Sequence, residues 1–189
     1  MKHTLLLLTI TFMAFTNTGC NSQGKTGPSD KNILVAYFSH TGNTRQLATQ
    51  IQQALQCDIF EIIPEKPYPV DYDSCVYQAK KEIKANYKPA LKTHIGNIND
   101  YDVIFVGSPC WWHTIAPPVA AFLAENDFSG KTIAPFMTHE GSGMGVSMED
   151  IKKLCPQATL LEGLPIRGSK VKNAGNEVAA WLKKLEMIK

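Results

Sequence analysis

Residues 33–38 read ILVAYF, an apolar run without a break. A strand with one face in water would carry a polar residue at every second position. This run instead predicts a strand covered on both faces, as in a parallel sheet flanked by helices. SHTGNT follows at residues 39–44, and then a predicted helix over Arg45–Gln56, where Leu47, Ile51, Ala54 and Leu55 recur at helical spacing. A buried strand, a turn of small residues and a helix in direct succession are the start of a βαβ unit, and they constrain what can follow.

The alternation continues along the chain. Further strands are predicted at Asp58–Ile63, Val103–Val106, Thr132–Met137 and, beginning at its first residue, Thr159–Leu161. Pro135 interrupts the fourth. Helices are predicted at Ser74–Asn86, Pro118–Glu125, Met148–Leu154 and Val171–Leu185, the last with Val178, Trp181, Leu182 and Leu185 on one face. The pattern predicts one α/β domain, a doubly wound sandwich around a five-stranded parallel sheet of order 2-1-3-4-5. Ligands of such sheets sit outside the carboxyl ends of the strands, near the switch point between strands 1 and 3. Residues 64–100 hold an extra stretch with no place in the alternation.

The N-terminus follows different rules. Lys2 precedes the apolar segment LLLLTITFMAF, and TNTGC closes it. Residues 1–19 therefore read as a signal peptide, too short to span a bilayer. Gly19-Cys20 resembles the end of a bacterial lipobox, with Asn17 departing from the usual apolar residue, so lipidation of Cys20 and export to the cell envelope are expected. Residues 20–31, CNSQGKTGPSDK, read as a tether, which leaves 32–189 as the folded domain. GCNSQGKT also fits the Walker A pattern G-x-x-x-x-G-K-[ST], but a phosphate loop must follow a strand and open a helix. Here a leader precedes the motif and the breaker-rich GPSDK follows it.

Over 189 residues the formal net charge is +2, which gives no electrostatic grip on nucleic acid. The cysteines lack zinc-ligand spacing. In an exported chain Cys57, Cys75, Cys110 and Cys155 allow several pairings that the sequence does not choose between.

Three loops leave the carboxyl ends of predicted strands and carry the chemistry. Ser39, His40, Thr41, Gly42, Asn43 and Thr44 offer hydroxyls, an amide and backbone N–H groups at a helix start, a cradle for a phosphate dianion. Ser108, Pro109, Cys110, Trp111, Trp112 and His113 place two indoles after the third strand, where a flat ligand would cover them. Thr138, His139, Glu140, Gly141, Ser142, Gly143, Met144 and Gly145 follow the fourth strand, and the three glycines let backbone N–H groups approach a ligand edge.

With YFSHTGNT, GSPCWWHTIAPPV and THEGSG in order after successive strands, the sequence resembles the flavodoxin superfamily, and most closely a bacterial flavodoxin-like family, over about residues 32–186. The resemblance implies a flavodoxin-like fold and FMN held without covalent linkage. It implies that Ser39–Thr44 hold the phosphate and that Trp111 or Trp112 stacks on the ring. Pro109 and Cys110 backbone would approach the N5 edge, and Glu140–Gly143 would meet the pyrimidine edge. Two features depart from many members. The chain is nearly neutral rather than acidic, and PCWW has no glycine whose peptide could flip beside N5.

The leading expectation is an exported, lipid-anchored FMN protein that carries electrons between redox partner proteins or small-molecule donors and acceptors. The alternatives are an FMN-dependent NAD(P)H:quinone or nitro reductase, in which His113 or His139 would assist proton transfer, and a flavin-free binding module on the same fold.

Overall fold

A computed structural model describes residues 31–189; the leader, Cys20, the GCNSQGKT motif and the tether through residue 30 lie outside the described residues. The elements in chain order are β1 (Ile33–Tyr37), α1 (Asn43–Leu55), β2 (Asp58–Glu61), α2 (Tyr72–Lys84), β3 (Val103–Trp111), β4 (Thr114–Ile115), α3 (Pro117–Glu125), β5 (Thr132–His139), α4 (Ser147–Leu154), β6 (Thr159–Leu160), β7 (Leu164–Arg167) and α5 (Gly175–Lys184). Single 3-10 segments lie at Ile98–Asp100 and Gly168–Asn173.

The sheet runs β2-β1-β3-β5-β6, all parallel, with β7 also parallel to β5 and β4 antiparallel to β3. β6 pairs with the first half of β5 and β7 with the second, so they share one edge position. Counted by position, this is the expected order 2-1-3-4-5 with its last strand broken in two.

Pro135 explains the break. The Ile133 carbonyl accepts from the Leu161 N–H, so Ile133 turns its backbone toward that edge. Pro135, two residues on, faces the same side and has no N–H to give. The edge strand is interrupted there, between Leu160 and Leu164. Pro109 is accommodated by the same logic. The Gly107 carbonyl accepts from the Phe38 N–H on the β1 side, and by Pro109 strand β1 has ended.

Each face of the sheet carries its own core, and strand alternation sorts the residues between them. Leu34, Ala36, Ile104, Val106, Ile133 and Met137 pack toward α3 and α4. Val35, Tyr37, Val103, Phe105, Ala134 and Phe136 pack toward α1 and α5. α1 supplies Leu47, Ala48 and Ile51, three residues on one helical face and all fully buried. α5 supplies Val178, Trp181 and Leu182; the Trp181 ring stands edge-on to Phe105 at 5.4 Å and its Nε1–H donates to the Glu162 carbonyl at 2.9 Å.

Several elements differ from their sequence reading. β3 continues past Val106 to Trp111, because Gly107, Ser108 and Pro109 stay in register with Phe136, Met137 and Thr138 of β5. The glycine belongs in the strand: a Cβ at Gly107 would collide with the Phe136 ring and stand 2.9 Å from Tyr37 Cβ. The helix expected over Val171–Leu185 is a 3-10 segment followed by α5, with Ala174 between them.

Candidate functional site

The parallel sheet brings the carboxyl ends of β1, β3, β5 and β7 to one edge, and a cavity of about 790 Å³ opens there. Its first wall is the β1–α1 loop. Gly42 holds φ at 95°, and a side chain there would meet nothing within 4 Å, so the space in front is open. Gly42 is the N-cap of α1 and supplies no side-chain cap, and the first turn holds no acidic residue. The first N–H groups of a helix have no partner inside it, so this end is left to an outside acceptor.

The loop braces itself. Ser39 Oγ accepts from the Gly42 N–H at 3.2 Å. His40 Nε2–H donates to the Pro69 carbonyl at 3.0 Å, which ties the loop to the segment before α2. Thr44 Oγ1 and Thr138 Oγ1 share a buried 2.8 Å hydrogen bond that fixes α1 to β5.

The second wall is a β-hairpin that the sequence did not announce. Cys110 pairs with Ile115 and Trp111 with Thr114, leaving Trp112 and His113 as a two-residue turn. Both have left-handed backbones, φ 50° and 65°. Such turns are normally Asn-Gly or Gly-Gly, because a Cβ makes this region unfavourable. Strained bulky residues of this kind cluster where function holds them.

The indoles differ in setting. Trp111 is partly buried, edge-on to Tyr68 at 4.9 Å, Phe38 at 5.5 Å and His40 at 5.7 Å. Trp112 is 43% exposed; its Nε1–H donates to the Val76 carbonyl of α2 at 3.1 Å, and Lys80 Nζ stands 4.4 Å from its ring centre. Cys110 is a free thiol lining the cavity. Burial raises its pKa, against hydrogen bonds from Ser142 and the His113 backbone that lower it. A thiol so held stays protonated at neutral pH and is a poor nucleophile.

The third wall follows β5. The Gly141 N–H donates to His139 Nδ1 at 3.0 Å, which leaves the proton of the neutral ring on Nε2. The Val146 N–H donates to the His113 carbonyl at 2.7 Å, so this loop is locked to the hairpin turn. Gly145, at φ 53°, lies so close that a Cβ would collide with that same carbonyl.

Of the residues expected from sequence, His40, Thr41, Asn43, Pro109, Cys110, Trp111, Trp112, Glu140 and Ser142 line the cavity. Ser39, Gly42, Thr44, Gly141 and Gly143 do not; the Ser39 and Thr44 hydroxyls are spent on bracing bonds. Glu140 also turns toward the start of α1. Its carboxylate lies with Asn43, the first residue of α1, over the backbone of Gly168, and Arg167 Nε stands 3.5 Å from its Oε2. The sequence reading missed Gly168 and the whole wall built by Val70, Tyr72, Cys75, Val76 and Ala79. The i, i+4 pair Cys75–Ala79, buried on α2, was the available signal for that wall.

Comparison with known proteins places this geometry in context. The family model described as flavodoxin matches residues 32–185. No curated protein matches the sequence. A provisionally assigned flavoprotein of Bacteroides eggerthii is 32% identical, with a TM-score of 0.73 over 82% of this chain and 98% of that one. A second, from Bacteroides uniformis, is 29% identical, also with a TM-score of 0.73, over 81% of this chain and 98% of its own. A flavoprotein of Lactobacillus acidophilus, solved in complex with FMN, is 23% identical with a TM-score of 0.62, over 75% of this chain and 97% of its own.

Proposed function

The chain belongs to the flavodoxin family, and from that premise we propose that it binds FMN without covalent linkage at the carboxyl edge of its sheet and carries electrons. The observation that best supports this is one cavity whose wall combines an uncapped helix start with two indoles. The donor set suits the group. Thr41, Asn43 and the first N–H groups of α1 would hold a phosphate monoester. Trp111 or Trp112 would lie against the ring, the Pro109–Cys110 backbone would face the N5 edge, and Ser142 with the glycine backbone beside it would meet the pyrimidine edge.

When bound, FMN supplies one- and two-electron chemistry. The chain's part is to orient it, exclude water and fix the nearby protons. The pairing of Cys110 and Trp111 with β4 holds that stretch of backbone in a ladder, so redox tuning falls to stacking and local charge rather than to a glycine peptide flip. The neutral Cys110 thiol adds no charge to that edge.

A second reading, an FMN-dependent NAD(P)H:quinone or nitro reductase, is favoured by one observation: His113 and His139 both line the cavity, within reach of a substrate's protons. Steady-state NAD(P)H oxidation by FMN-loaded protein with a quinone present separates the two. The carrier reading expects no turnover above free FMN, and saturable turnover would replace it with the reductase.

We also propose that the protein is exported and anchored in the cell envelope through lipidated Cys20, where it meets redox proteins or small donors and acceptors. This rests on the leader sequence. Cys20→Ala should move the protein from the membrane fraction to the soluble one, and an unchanged distribution would contradict the anchor.

A further inference from the structure

We infer that Arg167 belongs to the anion-binding set of this cavity, where it offsets Glu140 and makes the site select a flavin bearing a phosphate monoester over one without. The inference rests on the flavin reading above and concerns residues outside the three loops.

The β5–β7 register sets His139 opposite Arg167, so the short edge strand delivers Arg167 and Gly168 to the same edge as the loops after β1 and β5. Gly168 lines the cavity. A Cβ on it would collide with Glu140 Oε1 and stand 2.7 Å from Asn43 Nδ2. The Glu140 carboxylate, the Asn43 amide and the start of α1 therefore meet over a bare backbone.

That arrangement poses an electrostatic problem. A carboxylate beside a helix N-terminus is favourable by itself, but it opposes a second anion at the same place. Arg167 answers it, with Nε 3.5 Å from Glu140 Oε2. The chain has two arginines, Arg45 and Arg167. Arg45 follows Thr44 in α1 and is held at 2.5 Å by Glu61. The phosphate loop Ser39–Thr44 contains no lysine or arginine of its own.

The pair is also suited to exchange. The side chains of Arg167 and Glu140 are 56% and 70% exposed, and an ion pair so open to water is weak. A phosphate dianion binds a guanidinium through two parallel hydrogen bonds and competes well with a solvated carboxylate. Arg167 would thus be shared between Glu140 and the phosphate.

The test is titration of the purified protein with FMN and with riboflavin, followed by flavin fluorescence. Wild type should prefer FMN. Arg167→Gln should lose about ten- to a hundredfold in FMN affinity and leave riboflavin affinity unchanged. Glu140→Gln should bind FMN more tightly than wild type. Lys170→Gln, a charge removed from the adjoining turn, should lose much less than Arg167→Gln. Wild-type FMN affinity in Arg167→Gln would overturn the inference and leave the cavity reading standing. Equal loss of both flavins, or an equal loss in Lys170→Gln, would also overturn it, as a structural or a diffuse charge effect. A wild-type protein that takes up neither flavin overturns the cavity reading and the inference with it.

Discussion

Thr44 and Thr138 share a hydroxyl–hydroxyl hydrogen bond of 2.8 Å, buried between the first turn of α1 and the end of β5. It joins the loop expected to hold an anion to the strand that launches the third loop. Removing one hydroxyl leaves the other buried without this partner, whereas removing both leaves neither unpaired. Thr138→Val alone should cost about 1–3 kcal/mol, and Thr44→Val with Thr138→Val should recover most of that loss. Urea unfolding of both variants checks this; a double variant no more stable than Thr138→Val alone would contradict it.

Gly107 sits in the middle of the sheet, with no room for a Cβ between the Phe136 ring and Tyr37. Gly107→Ala should force those side chains apart and cost about 1–3 kcal/mol, read as a lower melting temperature. An unchanged melting temperature would mean that the core face toward α1 and α5 packs less tightly than described.

The hairpin turn should gain stability from the residue it lacks. His113 holds φ at 65°, where a Cβ is unfavourable and glycine is not. His113→Gly should stabilise the protein by up to about 1 kcal/mol. If the turn's strain serves ligand binding, the same variant should bind flavin less tightly. A destabilised His113→Gly would refute the strain.

Stability should fall at alkaline pH. Burial raises the Cys155 thiol from an ordinary 9.0 to about 11. Burial likewise raises Cys75, Cys110, Tyr37, Tyr68 and Tyr101. Between the ordinary values and the raised ones the folded state keeps protons that the unfolded chain has released. For Cys155 this stabilisation is complete below about pH 9 and is lost as pH rises toward 11. Denaturant midpoints measured across that range should decline, and Cys155→Ala should flatten the decline. A midpoint that holds steady to pH 11 would contradict the assignment.

The sequence made the sheet legible because three signals agreed at its start: an unbroken apolar run in ILVAYF, a small-residue turn in SHTGNT and a helical period after Arg45. Once the sheet is parallel, every strand ends on the same edge, so the convergence of the loops follows from order alone. The Trp112–His113 turn was not legible, because neither residue signals a tight turn; the hairpin is held by pairing with β4 and by the bond from Val146 to the His113 carbonyl. The broken edge strand turned on which side Pro135 faces, and that parity is set by a partner in another segment. The α2 wall announces itself only through the apolar pair Cys75–Ala79, and Gly168 carries no local motif; only the fold brings them to the cavity.

The central claim is most directly tested by titrating the purified protein with FMN while following tryptophan fluorescence and the flavin absorbance band. Two indoles in the cavity wall predict saturable quenching at micromolar FMN, with a perturbed flavin spectrum and one flavin per chain. Unquenched fluorescence and an unshifted spectrum under those conditions would contradict the account.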